Sequence, residues 1–252
     1  MNFQGLFGLI KIELKKLIRE PAILIMNLLF PAILTLVFGL TFGAIGGGDT
    51  GGVNTFDIMA PGLFAYACIF IIMTVAMSFA DEREEGLLRR INVTPISSSE
   101  FLGSHIITNM IISIIQVVLV FLFSVLMGFR PLGGVWGVVM AFILMIILSL
   151  CSVGLGLLTA SIAKSGAVAV GTSMIFILPQ MFFGTFLPLS PTTEIIALFL
   201  PSYYVTHSIT LIFHGAEILS AEILLSLTVV SIMAGVIIFI GVLMFKKYGS
   251  EK

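Results

Sequence analysis

The sequence predicts an all-α membrane protein: six transmembrane helices with both termini inside, an interfacial amphipathic helix before the first span, and an outer re-entrant helical hairpin before the last. Three observations carry this. The 252 residues are 59% hydrophobic and 10% charged, with mean hydropathy +1.20. A soluble domain has roughly 45–50% apolar and about 25% charged residues, too polar a balance for this chain to match. Apolar runs recur at 22–45, 58–80, 104–128, 135–161, 166–187 and 221–245, and each exceeds the roughly 20 residues a helix needs to cross a bilayer. Eleven of the twelve basic residues fall in the segments on one side of these runs, Arg130 alone on the other, and the positive-inside rule makes the basic side cytoplasmic.

The runs read as helices because they are apolar at consecutive positions, as in Ile111–Phe123, and lack the alternation of a barrel strand. Before the first of them, residues 1–20 carry Phe3, Phe7, Ile10, Leu14 and Leu17 at steps of three and four, with Lys11, Lys15 and Arg19 on the other side. That pattern suits a helix lying in the inner interface against anionic headgroups. The apolar run that follows is too long for a cleavable signal peptide, whose apolar region is about 7–15 residues.

The segment 81–96 concentrates seven charges into the ten residues Asp81–Arg90: Asp81, Glu82, Arg83, Glu84, Glu85, Arg89 and Arg90. Topology signals need only Lys and Arg. Four acids around a ridge of Leu87, Leu88 and Ile91 therefore predict a short helix docked on a soluble partner. Ser97 and Glu100 then have the spacing of a capping box that starts the third span.

On the outer side, the glycine-rich loop 46–52 is too small to fold. The segment 188–215 is too apolar for a free loop and too broken by Pro188, Pro191 and Pro201 for a span. It reads as a re-entrant hairpin with Tyr203 and Tyr204 at headgroup level.

The chain excludes several chemistries. Apart from Glu222 at the very start of the sixth, the six apolar runs hold no Asp, Glu, Lys or Arg, which disfavours an ion-coupled carrier. Their polar residues, among them Asn27, Thr35, Asn109, Ser113, Gln116, Ser149, Ser152, Thr159 and Gln180, are expected to pair across helices. His105, His207 and His214 lie at span ends or in the outer connection and read as interfacial. No Gly-x-Ser-x-Gly, His-Glu-x-x-His or phosphate-binding glycine loop occurs. Near-zero net charge gives no case for a nucleic-acid partner. Cys68 and Cys151, each inside an apolar run, read as reduced packing residues. Small residues spaced for close helix approach are Gly39 and Gly43 in the first span and Ala167 and Gly171 in the fifth.

The run Glu82-Arg-Glu-Glu-Gly-Leu-Leu-Arg-Arg-Ile-Asn-Val-Thr-Pro95 after the second span, and Phe186–Tyr204 with its late Leu-Pro and Pro-Ser-Tyr-Tyr elements, resemble the ABC-2 type permeases of ABC exporters, and the likeness covers the whole chain. The resemblance implies one ABC-2 type transmembrane domain over 1–252, a permease of the plasma membrane with no catalytic residue, metal or cofactor of its own. It implies a second permease copy, identical or a paralogue, surrounding lipid, and two copies of a separate ATPase that binds ATP and Mg. By the same resemblance Glu82, Arg83, Glu84, Glu85, Gly86, Leu87, Leu88, Arg89, Arg90 and Ile91 form the coupling helix, Pro188, Pro201, Tyr203 and Tyr204 belong to the outer re-entrant segment, and Gly39, Gly43, Ala167 and Gly171 are available for packing between permease copies. The cargo class implied is amphiphilic: drug-like, lipid or lipid-linked. Where the family often carries an acid shortly after the tyrosines, this chain has His207. The competing class is an ion-coupled secondary carrier or channel.

Overall fold

The structure is a computed structural model and describes residues 3–19, 21–42, 49–50, 53–86, 98–186 and 189–244. In chain order the helices are α1 (Phe3–Arg19), α2 (Pro21–Phe42), α3 (Thr55–Glu84), α4 (Ser98–Leu126), α5 (Gly134–Ile162), α6 (Gly166–Met181), α7 (Pro191–Ala197), α8 (Pro201–Phe213) and α9 (Ala221–Met244). A π-helical turn, Phe182–Phe186, continues α6, and a minimal hairpin pairs Asp49–Thr50 with Val53–Asn54 before α3. The glycine-rich loop is otherwise outside the described residues, as are Gly43, Ser97 and Pro188.

Five stretches among the described residues are long and apolar enough to cross a membrane: Thr55–Glu84, Glu100–Leu126, Gly134–Ile162, Gly166–Phe186 and Ala221–Met244. α2 adds the apolar stretch Asn27–Phe42. Every helix of the bundle is apolar nearly all round, so burial and not amphipathic patterning decides its place. α3 is the centre. Almost every residue from Ala60 to Ala76 is buried, and α2, α4, α5, α6 and α8 all pack against it. At about 1.5 Å per residue its 30 residues exceed the roughly 30 Å of a bilayer's hydrocarbon core. α3 therefore carries Asp81, Glu82, Arg83 and Glu84 in its last turns, beyond the apolar run that the sequence delimits at residue 80.

Glycines on two faces of α5 permit its close crossings. A Cβ on Gly156 would stand 2.6 Å from Val75 Cβ and 3.0 Å from Ile72 O of α3, and one on Gly154 would stand 2.8 Å from Ile237 Cγ2 of α9. The core around Phe64 joins α3, α4, α5, α8 and α9 through Val117, Leu144, Ile209, Phe213 and Val230, with Phe129 and Phe213 edge-on to the Phe64 ring.

Several polar residues of the spans are satisfied differently from the sequence-based expectation, while both amide atoms of Gln116 and the Ser152 hydroxyl are buried without a hydrogen-bond partner among the described residues. Thr35, Asn109, Ser149 and Thr159 each donate to the carbonyl four residues back in their own helix, at 2.8–2.9 Å. That carbonyl is always within reach of a short polar side chain, so no neighbour has to be found. Ser113 and Ser149 do pair between α4 and α5, at 2.6 Å. Cys68 and Cys151 are buried free thiols.

Replacing Gly156 by Leu should force α3 and α5 apart and cost about 1–3 kcal/mol, the range for overpacking. It will appear as a lower midpoint of thermal unfolding in detergent. Gly171→Leu, where nothing lies within 4 Å of an added Cβ, should leave that midpoint unchanged.

Candidate functional site: the charged end of α3

Three consecutive side chains at the end of α3 reach three different parts of the bundle. The Asp81 carboxylate accepts a hydrogen bond from the Gly166 N–H at the start of α6. A Cβ at that position would collide with the carboxylate and displace it from this bond. The site is also electrostatically favourable, since the first turn of a helix presents unpaired N–H groups. Arg83 donates from Nη1 to Ser161 O, 3.3 Å away in the last turn of α5, where unpaired carbonyls attract a cation. Glu82 turns inward, with 1% of its side chain exposed, toward α1 and α4.

Around Glu82 lies the most heavily buried charge cluster among the described residues. Lys16 Nζ of α1 donates to Glu82 Oε1 at 3.2 Å. His105 Nε2 of α4 is 3.0 Å from Glu82 Oε2 and 3.0 Å from Glu13 Oε1 of α1, between two carboxylates and aimed squarely at neither. The imidazole, also 1% exposed, is clasped by Phe79 (centroids 4.4 Å) and Phe101 (4.5 Å). The imidazole and the Glu82 carboxylate are out of water and must be neutralised in place, with Lys16, 38% exposed, reaching Glu82 from the rim.

Glu13, Glu82 and His105 present three ligand-type atoms within 4.8 Å of one another, a set that could hold a divalent ion. Lys16 weighs against that use. With an ammonium already on Glu82, a divalent ion among two carboxylates and a neutral imidazole would leave the buried group positively charged. An imidazolium at His105 leaves it balanced.

This geometry corrects several sequence-based expectations. Glu82 does not face a soluble partner: its carboxylate is buried and paired. Residues 82–84 do not begin a separate helix but finish α3, and Gly86 ends it in the left-handed conformation (φ 71°) that glycine adopts without strain. Glu84 and Glu85 are exposed and Arg83 is half-buried. Leu87, Leu88, Arg89, Arg90 and Ile91 lie outside the described residues. His105, read as interfacial, is a core residue. The available signal was Glu13, an acid off the basic face of an otherwise basic amphipathic helix.

α1 meets α4 through Leu6 and Glu13, and Leu6 Cδ1 sits over Gly103. Of its apolar stripe, Phe7 is exposed and Ile10 and Leu14 are half-buried. Phe7 and Ile18 are each 70% exposed, and with Ile10 and Leu14 they form an apolar groove edged by Lys11 and Lys15.

At α7 and α8 the two helices meet at 109°. Ser190 caps α7 with Thr193 in a reciprocal capping box. Pro201 is buried in the first turn of α8, where its missing N–H costs nothing. Tyr204 Oη donates to Leu198 O at 3.0 Å and Tyr203 Oη to Glu194 Oε1 at 3.3 Å, so both tyrosines tie α8 back to the α7 turn. Tyr203 also stacks on His207, which lies 3.9 Å from Glu222. His214 Nδ1 is 2.7 Å from Thr210 O. Gly39 is not free for a second chain: it is buried under Met127, whose Cγ would stand 2.5 Å from an added Cβ. Ala167 and Gly171 are exposed.

Glu82→Ala should take the Oε1 contact from Lys16 and one of two carboxylates from His105, and cost about 3–5 kcal/mol, as breaking a buried pair does. Glu84→Ala should leave the unfolding midpoint in detergent where it is. Equal midpoints for the two variants would remove the assignment of Glu82 to the buried cluster.

Comparison with known proteins supplies a family for the helical bundle. Residues 4–214 match the family described as ABC-2 type transporter, and that stretch takes in α1, the end of α3 and the α7–α8 bend. Among curated proteins no relative matches the chain. With more than four-fifths of its length inside the family match, the chain belongs to the ABC-2 type transporter family and is its membrane-embedded, non-catalytic permease component.

Proposed function

We propose that the protein is the permease of an ATP-driven exporter that moves amphiphilic cargo, drug-like, lipid or lipid-linked, through a path formed with a second permease copy and energised by two separate ATPase subunits. The eleven basic residues on one side support a placement with both termini in the cytoplasm, and the reading as an exporter puts the chain in the plasma membrane. The observation that carries the reading is the division of labour at the end of α3. Asp81, Glu82 and Arg83 hold α6, α1, α4 and α5, while Glu84 and Glu85 stand exposed one step further on. A partner pressing on Glu84–Ile91 would push on a lever already fastened to most of the bundle.

Two further features support it. α1 leaves Phe7 and Ile18 exposed and Ile10 and Leu14 half-exposed beside Lys11 and Lys15, the arrangement of a helix lying in a membrane interface. α8 carries Val205, Ile209 and Ile212 into the core beside α3, α5 and α9, as the inner arm of a re-entrant hairpin does. Among the described residues the buried acids and histidine, Glu13, Glu82, Glu100 and His105, all lie at the charged end, which favours an ATPase over an ion gradient as the energy source.

Reversing charge with Glu84→Lys and Glu85→Lys should reduce co-purification of the ATPase on the order of tenfold, the loss expected when opposite charges become like charges at a docking surface. Membrane insertion and the unfolding midpoint should not change. Undiminished co-purification would overturn the docking assignment. Cargo transport by the purified permease on an ion gradient without ATP would establish a carrier instead.

A further inference from the structure

Glu13 and Lys16 are one turn apart on α1; Glu13 reaches His105 of α4 and Lys16 reaches Glu82 of α3, and those two residues face each other. Elsewhere α1 packs on α4, where the buried Leu6 lies on Gly103, and on α2. On its outer side it carries an apolar groove edged by Lys11 and Lys15. What reaches from α1 to the end of α3 is the Lys16–Glu82 pair. The four charged groups thus join α1 to α3 as well as to α4. Other charges near the cluster are Lys15, Arg19 and Glu85 at its mouth and Glu100 one turn before His105 on α4.

We infer that Glu13, Lys16, Glu82 and His105 form a clamp that makes α1 and the end of α3 one mechanical unit, with His105 as the positioning residue that joins the two carboxylates. A displacement of residues 84–86 would then carry α1, its lysines and its lipid-facing groove with it. The interfacial helix is thus a moving part of the cycle and not a fixed anchor. The consequence for transport rests on the export reading above; the clamp itself does not.

The clamp is tested on the permease alone in nanodiscs of phosphatidylcholine and phosphatidylglycerol, by hydrogen exchange followed peptide by peptide. In the parent chain, amides of α1 and of residues 80–85 should exchange with equal protection. His105→Gln and Lys16→Gln should each speed exchange in α1 on the order of a hundredfold, the scale of breaking a buried ion pair. Exchange in α5 should stay at the parent rate, which shows that the bundle is intact. Lys16→Arg, which keeps the pair, should restore parental protection. Unchanged α1 exchange in both Gln variants would overturn the clamp. So would a stoichiometric divalent metal in the purified parent that Glu13→Gln removes, since the site would then be a metal centre. A separate arm adds the ATPase with ATP and vanadate. If residues 80–85 respond, α1 should respond with them, and only in the parent; a response of 80–85 alone there would also overturn the inference. No response in either segment would count against the export reading and leave the clamp to the permease-alone result.

Discussion

A charge that has left water must be neutralised where it sits, and this constraint shapes the one end of the bundle where helices of little specificity become a defined assembly. Within the spans, apolar side chains pack on apolar side chains with lipid as an equally apolar competitor, so the hydrophobic effect gives little preference for one helix arrangement over another. At the end of α3 the situation differs. Glu82 and His105 are as buried as any core residue, and each finds a partner only if α1, α3 and α4 stand in one relative position. Asp81 and Arg83 extend the same requirement to α6 and α5.

The rest of the bundle can be understood from that end. α3 is long because it serves two media: its apolar stretch passes through the core, and its last turns bring charge to a place where helix termini offer complementary partial charges. The start of α6 and the end of α5 are adjacent to it because Ala163–Ser165 joins them in a short turn. The N–H of one and the carbonyl of the other are thus available to neighbouring residues of α3. Further along, Gly154 and Gly156 let α5 approach α9 and α3 closely enough for dispersion contacts to replace what lipid would supply.

How much of this was legible depended on the range of the interaction. The spans, the basic bias of one side and the stripe on α1 rest on residues within one or two turns of each other and can be read from order alone. The interior pairing of the polar residues was misjudged because a neighbouring helix was assumed where the same helix's carbonyl was nearer, as at Thr35 and Thr159. Gly39 was misjudged for the same kind of reason: small residues at a spacing of four show that something can approach, and only packing shows that it is Met127. The segment from Glu82 was legible as unusual, yet its charges divide between inward and outward tasks that composition cannot separate.

By itself, then, the sequence determined that this is a helical membrane protein, where its apolar spans run and which end of the bundle is charged. Hydropathy and charge sum along a chain, and a bilayer responds to the sum. Only the tertiary structure decided that Glu82 faces inward, that His105 is held between two carboxylates and that α1 is joined to the end of α3. Lys16 and Glu82 are 66 residues apart in sequence, and no local pattern records which distant charge will be close enough to neutralise another.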